Sequence, residues 1–429
     1  MVLALKDIRV LDVSQVAAVP MAARHLADFG ADVIHIEHPT RGDSWRSYQE
    51  KITMAYGRVP SEINFNWENY NRNKRSVTID ISREGGQTIL YKLVEKADIF
   101  LSNLRPFELK RYNLEYDTLN RINPRLIYGS LTAYGKKGPQ NDAPGYDTIA
   151  YFCRSGLTQM LSLPGISAFS FGGPAHGDNI TALAFALGVV LALYARQITG
   201  LGQEVDISLF QTALYQMSYN VSQALVTGED DWDFKDRIPQ ELINEADAVT
   251  TRLRDAVREQ SLNPLIQGYF TKDGREILLA LLQSDRYWPS FCQVIEREDL
   301  EHDPKFDSTE SRAINHIALY YILKDIFKTK NFAEWKELLT EAGIPGGPVQ
   351  NILEAIDDPQ ARANDFFLLT DHPTYGPIEV VANPIKLSKT PATIRMPAPE
   401  FSQHTEEVLL EAGYTWEQIG QLKQDGLIS

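Results

Sequence analysis

The sequence predicts an α/β protein whose parallel sheet is covered by helices. Two observations carry this. Over the first 150 residues, short Val- and Ile-rich runs alternate with segments of helical spacing. Beyond them, the longest apolar run, Ile180 to Ala195, leads into a further strand-like stretch, QEVDISL. In order, IRVLDV and DVIHIE read as buried strands, and VPMAARHLADFG between them as a helix stopped by Gly30. SVTIDI, a helix from about Glu84 to Lys96, and DIFLSNL repeat the unit. One helix over FELKRYNLEYDTLNRIN and the strand RLIYGSLTAYG follow. A helix beginning near Phe210 comes after QEVDISL, and from about Gly228 to Glu259 the chain turns charged and aperiodic. A second region opens with GYFTKDGREILLALL, whose Asp273-Gly274 pair marks a hairpin. Helical patterns then occupy Arg286–Arg297, Asn315–Lys328 and Phe332–Ala342, and the tail from His404 holds two short helices.

Composition narrows the function. The 429 residues are 43% hydrophobic, enough for one large or two ordinary cores. A net charge of -15 argues against DNA or RNA as partner, while a small anion held by local Lys and Arg stays open. The two cysteines, Cys153 and Cys292, have no metal-ligand spacing around them, which fits a reducing, cytoplasmic compartment and no metal site. The N-terminus has no basic leader and enters a strand pattern directly, so export is not expected. The run Ile180–Ala195 is shorter than the ~18–20 apolar residues a bilayer needs and reads as a buried helix, with no membrane partner.

Parallel sheets bind ligands beyond the carboxyl ends of their strands. The first such turn, LDVSQVAAVPMAAR, carries no G-x-G-x-x-G and no Walker lysine. Ser14, Gln15 and the following amides suit either a phosphate or an ordinary turn. Lys74, Arg75, Arg105, Lys110 and Arg111 form two basic clusters near strand termini, as a phosphate site or as solvated charge. His176 lies two residues before Asp178, but no nucleophile elbow accompanies the pair. Asp178 itself has two readings. It is a good N-cap for the apolar helix, and a helix start would also keep it ionised below the usual carboxylate pKa of about 3.9, available as a nucleophile.

The chain resembles the class III CoA-transferases, the formyl-CoA transferase and carnitine CoA-transferase family. The resemblance rests on LKDIRVLDVSQVAAVPMAARHLADFGADVIHIEHPTRGDSWR, NRNKRSVTIDI, ADIFLSNLRPFELKRYNL, NPRLIYGSLTAYGKKGP, APGYDTIAYFCRSG, GDN, GLGQEVDISLFQTAL, AGIPGGPVQNILEAIDDPQ and ANPIKLSKTP, which stand in family order. It implies that Asp178 is the catalytic carboxylate, acylated by an acyl-CoA donor and then carrying CoA as a thioester to a free carboxylic acid. Acyl-CoA, succinyl-CoA among the candidates, and the acid are then substrates, with no permanently bound cofactor. It further implies CoA contacts from Gln15, Val16, Lys74, Arg75, Asn103 and Arg111, and substrate contacts from Tyr146 and Gly177. Gly172, Gly173 and Gly177 would let backbone donors approach the oxyanions. The implied fold is a Rossmann-like large domain, 1–215 with 385–429, a linker at 216–260, and a smaller α+β domain at 261–384, with two chains interlocked as a homodimer.

The sequence departs from the family in places. His38 replaces a phosphate-binding arginine, a role that Arg41 or Arg46 would take over, and Gln15 and Ala17 differ from the oxalate-specific members. An α-methylacyl-CoA racemase is the rival enzyme, but it needs a histidine where this chain has Tyr146, a poor base with an ordinary pKa of about 10. A non-catalytic subunit of a heteromeric transferase would be free to lose Asp178, which this chain keeps.

Overall fold

A computed structural model of the protein describes residues 2–48, 61–162, 175–230, 255–256 and 258–429. The expected alternation of strand and helix runs β1 (Arg9–Val13), α1 (Ala18–Asp28), β2 (Asp32–Glu37), α2 (Phe65–Asn71), β3 (Lys74–Thr78), α3 (Glu84–Val94) and β4 (Ile99–Ser102). It continues with α4 (Pro106–Arg111), α5 (Tyr116–Ile122), β5 (Ile127–Thr132), α6 (Leu157–Met160), α7 (His176–Thr199) and β6 (Glu204–Ser208). These strands make one six-stranded sheet in the order β3-β2-β1-β4-β5-β6, every pairing parallel. Side chains alternate between its faces, as strand geometry demands. Val10, Val33, Leu101 and Ile127 join one core with α1 and α7, and Leu11, Ile34, Phe100 and Tyr128 the other with α3.

Three elements differ from expectation for local reasons. The single helix expected over 107–123 is two, α4 and α5, with Asn113 between them in the left-handed region at φ 56°. The strand read from Ser76 begins at Lys74, paired with Val33. The apolar helix α7 extends to 24 residues and ends at Gly200, φ 76°. Among the described residues it is the one helix long and apolar enough to cross a membrane. Ala182, Phe185, Val189 and Ala192 bury one side of it in the sheet core, whereas Leu187, Leu191, Tyr194 and Ile198 are exposed.

The described residues fall into two compact units. The first draws on Met1–Leu161, Phe169–Asp230 and Asn364–Ser429, and the second on Ser162–Ala168 and Asp231–Ala363. These boundaries depart from those expected at 215, 260 and 385. After β6, α8 (Leu209–Gln216) and α9 (Ser218–Thr227) stay with the first unit, although α9 lies in the segment read as linker. Most of that segment, 231–254, is outside the described residues.

The second unit has an antiparallel sheet of β7 (Gly268–Phe270), β8 (Glu276–Leu279) and β9 (Gly346–Pro348), with Gly274 at φ 76° in the expected hairpin turn. Its helices are α10 (Ser284–Val294), α11 (Thr309–Ile314), α12 (His316–Phe327), α13 (Phe332–Glu341), α14 (Ile352–Ile356) and α15 (Pro359–Ala363), and Trp288, Phe291, Tyr320 and Trp335 lie in its core. The chain returns to the first unit through the hairpin β10 (Phe367–His372) and β11 (Gly376–Val381), followed by α16 (Thr405–Glu411) and α17 (Trp416–Gln424). Val408, Leu409 and Ile419 of the last two helices complete the core on the β3 side of the sheet. The return is fastened at Asp28, a buried carboxylate that accepts from Arg72, Asn73 and Asn383.

Candidate active site

β1 pairs with β2 on one side and β4 on the other, so the order of the sheet reverses between β1 and β4 and their carboxyl ends open a crevice. The turn after β1 forms one lip and the turn after β4 the other. Asn103 ties them together: its Oδ1 accepts from the Gln15 backbone N–H at 3.0 Å, and its Nδ2 donates to the Gln15 carbonyl at 2.7 Å. The crevice, about 390 Å³, is lined among others by Gln15, Val16, Asn103, Arg105, Tyr146 and Asp178. Val16 sits at φ 72°, a left-handed conformation that costs a β-branched residue about 1–3 kcal/mol. Both Asp43 carboxylate oxygens lie 3.3 Å from its N–H, one of the contacts that meet this cost.

Asp178 enters from the first turn of α7. It is not the cap: the N-cap residue is Ala175, left-handed at φ 71° and without a capping side chain. The capping carboxylate comes from Asp147, at the start of a π-helical turn spanning Asp147–Cys153. Its Oδ2 accepts from the Gly177 N–H at 3.3 Å, and the Ala175 and Asp178 amides also favour its charge. Burial nonetheless outweighs these amides and raises Asp147 above the ordinary carboxylate range. Gly177 must be glycine here, because a Cβ would lie 2.3 Å from the Tyr151 ring.

The consequence reverses the expectation for Asp178. Removal from water, and then the like charge of Asp147, raise it from 3.8 to about 7. A helix start lowers a carboxyl pKa when its amides face that carboxyl. In this protein Asp147 takes them. The Gly177 amide, expected to face an oxyanion, is likewise occupied by Asp147, while Gly172 and Gly173 lie outside the described residues. Next to the nucleophile candidate, Asn179 accepts a hydrogen bond from the buried Tyr70 hydroxyl at 2.9 Å.

The structure brings Gln15, Val16, Asn103, Tyr146 and Asp178 to one crevice, and Tyr146 is 69% exposed within it. It does not bring Lys74 or Arg75 there. Both lie at the amino end of β3, whereas ligands gather at carboxyl ends. Lys74 is wholly buried, its Nζ 2.8 Å from Asp12 Oδ2 and 2.9 Å from Asn71 Oδ1. Arg75 is held by Asp32 at 2.6 Å and Glu411 at 2.8 Å. Arg46 is also committed, bidentate to Glu37 at 2.7 Å, so of the two substitutes for the missing arginine only Arg41 stays exposed. Arg111 is exposed at the last residue of α4, outside the lining of the crevice.

Two lining residues were missed as site residues. Asp147 follows Tyr146 in GYD, a segment whose tyrosine alone carries a family role. Arg105 was counted only as part of a basic cluster. The following Pro106, a helix-starting residue, marks Arg105 as the N-cap of α4, but that Arg105 lines the crevice follows only from the fold.

The model of CoA-transferase family III matches residues 5–405. The chain is 33% identical to the (R)-2-hydroxy-4-methylpentanoate CoA-transferase of Clostridioides difficile, over 99% of both chains. It is 30% identical to the cinnamoyl-CoA:phenyllactate CoA-transferase of Clostridium sporogenes, over 97% of this chain and 95% of the other. The crystal structure of a CAIB/BAIF family protein from Brucella suis shares the fold, with a TM-score of 0.76, 24% identity, and 96% of this chain and 100% of that chain covered. The match of the family model over nearly the whole sequence, together with these full-length relatives, shows that the chain belongs to CoA-transferase family III and is a CoA-transferase.

Proposed function

We propose that the protein moves CoA from an acyl-CoA donor to a free carboxylic acid through Asp178. The observation that carries this reading is a partly buried carboxylate, raised to about 7, in the wall of the crevice where the sheet order reverses. Near neutral pH a useful fraction of Asp178 is ionised, and poor solvation leaves that fraction reactive. A carboxylate oxygen of Asp178 attacks the donor thioester carbon; the C–S bond breaks and CoA leaves as thiolate with the electron pair, giving an aspartyl anhydride. The thiolate attacks Cγ of Asp178 and expels the donor carboxylate, leaving an aspartyl-CoA thioester. The acceptor carboxylate attacks that Cγ and releases the thiolate again. Attack of the thiolate on the acceptor's carbonyl then forms the new acyl-CoA and frees Asp178. No energy source is consumed, since one thioester replaces another.

The residues of the crevice divide this work. Gln15, Val16 and Asn103 hold the pantetheine and diphosphate side, with Arg105 as the cation at hand and exposed Arg111 further out. Tyr146 faces the acyl group. As acceptor we propose a 2-hydroxy acid, because two of the relatives at 30% identity or above carry such an acid in their names, while a third, at 31%, is named only an acyl-CoA transferase. A second copy of this chain would cover the exposed apolar side of α7, whose Leu187, Leu191, Tyr194 and Ile198 have no place in a monomer's core. The test is chemical. Borohydride or hydroxylamine added with an acyl-CoA donor should modify Asp178 and no other residue, and Asp178→Asn should prevent it. Full CoA transfer by Asp178→Ala would overturn the mechanism.

A further inference from the structure

A line of charged groups runs from the edge strand β3 to the wall of the crevice. Lys74 of β3 pairs with Asp12 of β1 at 2.8 Å, and Asp12 Oδ2 is 2.9 Å from His35 Nδ1 of β2. His35 Nε2 in turn faces Asp43 Oδ2 at 3.5 Å, and Asp43 meets the strained Val16 N–H. Asp12, His35 and Lys74 are 0% exposed and Asp43 is 2% exposed. Both ring nitrogens of His35 therefore look at carboxylates, and only the doubly protonated ring offers a proton to each.

We infer that His35 and Asp43 are positioning residues for acyl-CoA binding: the imidazolium of His35 fixes the Asp43 carboxylate, which holds Val16 left-handed and so sets the crevice wall from Gln15 to Ala17. The inference rests on reading this crevice as the acyl-CoA site. The other groups around His35 agree with it. The Trp67 ring lies edge-on with centroids 5.8 Å apart, and Glu37, whose charge His35 favours, accepts the Asp43 N–H at 3.0 Å. Burial opposes a charge on His35, and Lys74 also works against it. The Asp12 carboxylate, hydrogen-bonded to Nδ1, and the Asp43 carboxylate that faces Nε2 prevail and raise His35 to about 9. The device is thus in force below that pH and lost as pH rises through it.

The experiment measures acetyl-CoA binding by calorimetry to the full chain, from about pH 7.5 to about pH 10, where the probe's own phosphates no longer titrate. The variants are His35→Gln, Val16→Gly and the two combined. His35→Gln should weaken binding about tenfold at the lower pH and abolish the further weakening that the wild type shows through about pH 9. Val16→Gly removes a side chain of the binding wall and so sets its own reference affinity at the lower pH; relative to that reference it should show no alkaline weakening and no further loss from His35→Gln, because glycine adopts φ 72° without being held there. A merely structural histidine would lower thermal stability without moving the pH profile and without rescue by glycine. Unchanged binding by His35→Gln, or a full loss in the combined variant, overturns the inference. If His35→Gln does not fold, the profiles of the wild type and Val16→Gly decide, and identical profiles overturn it. Absence of acetyl-CoA binding by the wild type would instead overturn the acyl-CoA reading itself.

Discussion

Asp12 and Asp178 are two carboxylates drawn out of water in the same unit, and their proton affinities move in opposite directions. Burial works against the charge of both. Asp12 has Lys74 and His35 beside it, and these hold it well below the usual carboxylate range. Asp178 has the like charge of Asp147, which adds to burial and brings it to about 7. Desolvation alone does not decide what a buried acid does; the sign of its neighbours does. One region is thereby a fixed strut, and the other a group that changes charge in the range where the enzyme would operate.

Removing either acid's defining feature should break the contrast, with the largest effect at Asp178. Asp178→Asn should lower CoA transfer on the order of 10⁴-fold or more, read in a thioester-exchange assay. The same variant tests the proton linkage. Between the unfolded value of 3.8 and about 7, the folded protein binds more protons at Asp178 than the unfolded chain, so this residue makes stability fall as pH rises through that window and level off above it. Urea midpoints for Asp178→Asn should lack that share of the slope, and an unchanged slope would show that Asp178 is not desolvated.

Lys74→Met leaves Asp12 with His35 and the Ser14 hydroxyl and should cost about 3–5 kcal/mol in urea unfolding. A loss of acetyl-CoA binding with no loss of stability would instead return Lys74 to the ligand site. Gly177→Ala forces a methyl group against the Tyr151 ring and should cost about 1–3 kcal/mol, with a drop in activity as the start of α7 shifts. Asp147→Asn sharpens the comparison with the smallest change. Without its neighbour's charge Asp178 should ionise more readily, moving the acid limb of kcat/KM below about 7 by on the order of one pH unit. A limb that stays in place would assign the shift to burial alone.

Much of the frame was legible before any coordinates. The β1, β2, β4 and β5 strands, α1, the apolar α7 and the Asp273-Gly274 hairpin follow from hydrophobic period and turn chemistry, both local in the chain. Gln15, Val16, Asn103, Tyr146 and Asp178 were expected together from resemblance and share one crevice. Lys74 and Arg75 were not separable from a phosphate site, because a cation before a strand looks the same whether a phosphate or a carboxylate awaits it. Asp147 was hidden for the opposite reason: nothing in GYD shows that its carboxylate reaches a helix start at residue 177.

The sequence by itself determined the alternation of strands and helices, the topological class and the placing of a carboxylate at the head of an apolar helix. These depend on side-chain period and backbone preference over a few neighbouring residues. Only the tertiary structure decided which charges meet. Lys74 finds Asp12 across 62 positions and Asp147 finds Gly177 across 30, and charge interactions depend on those distances and on the exclusion of water. Such contacts exist only once the sheet has closed, so the properties of Asp12, His35 and Asp178 belong to the fold rather than to any stretch of sequence.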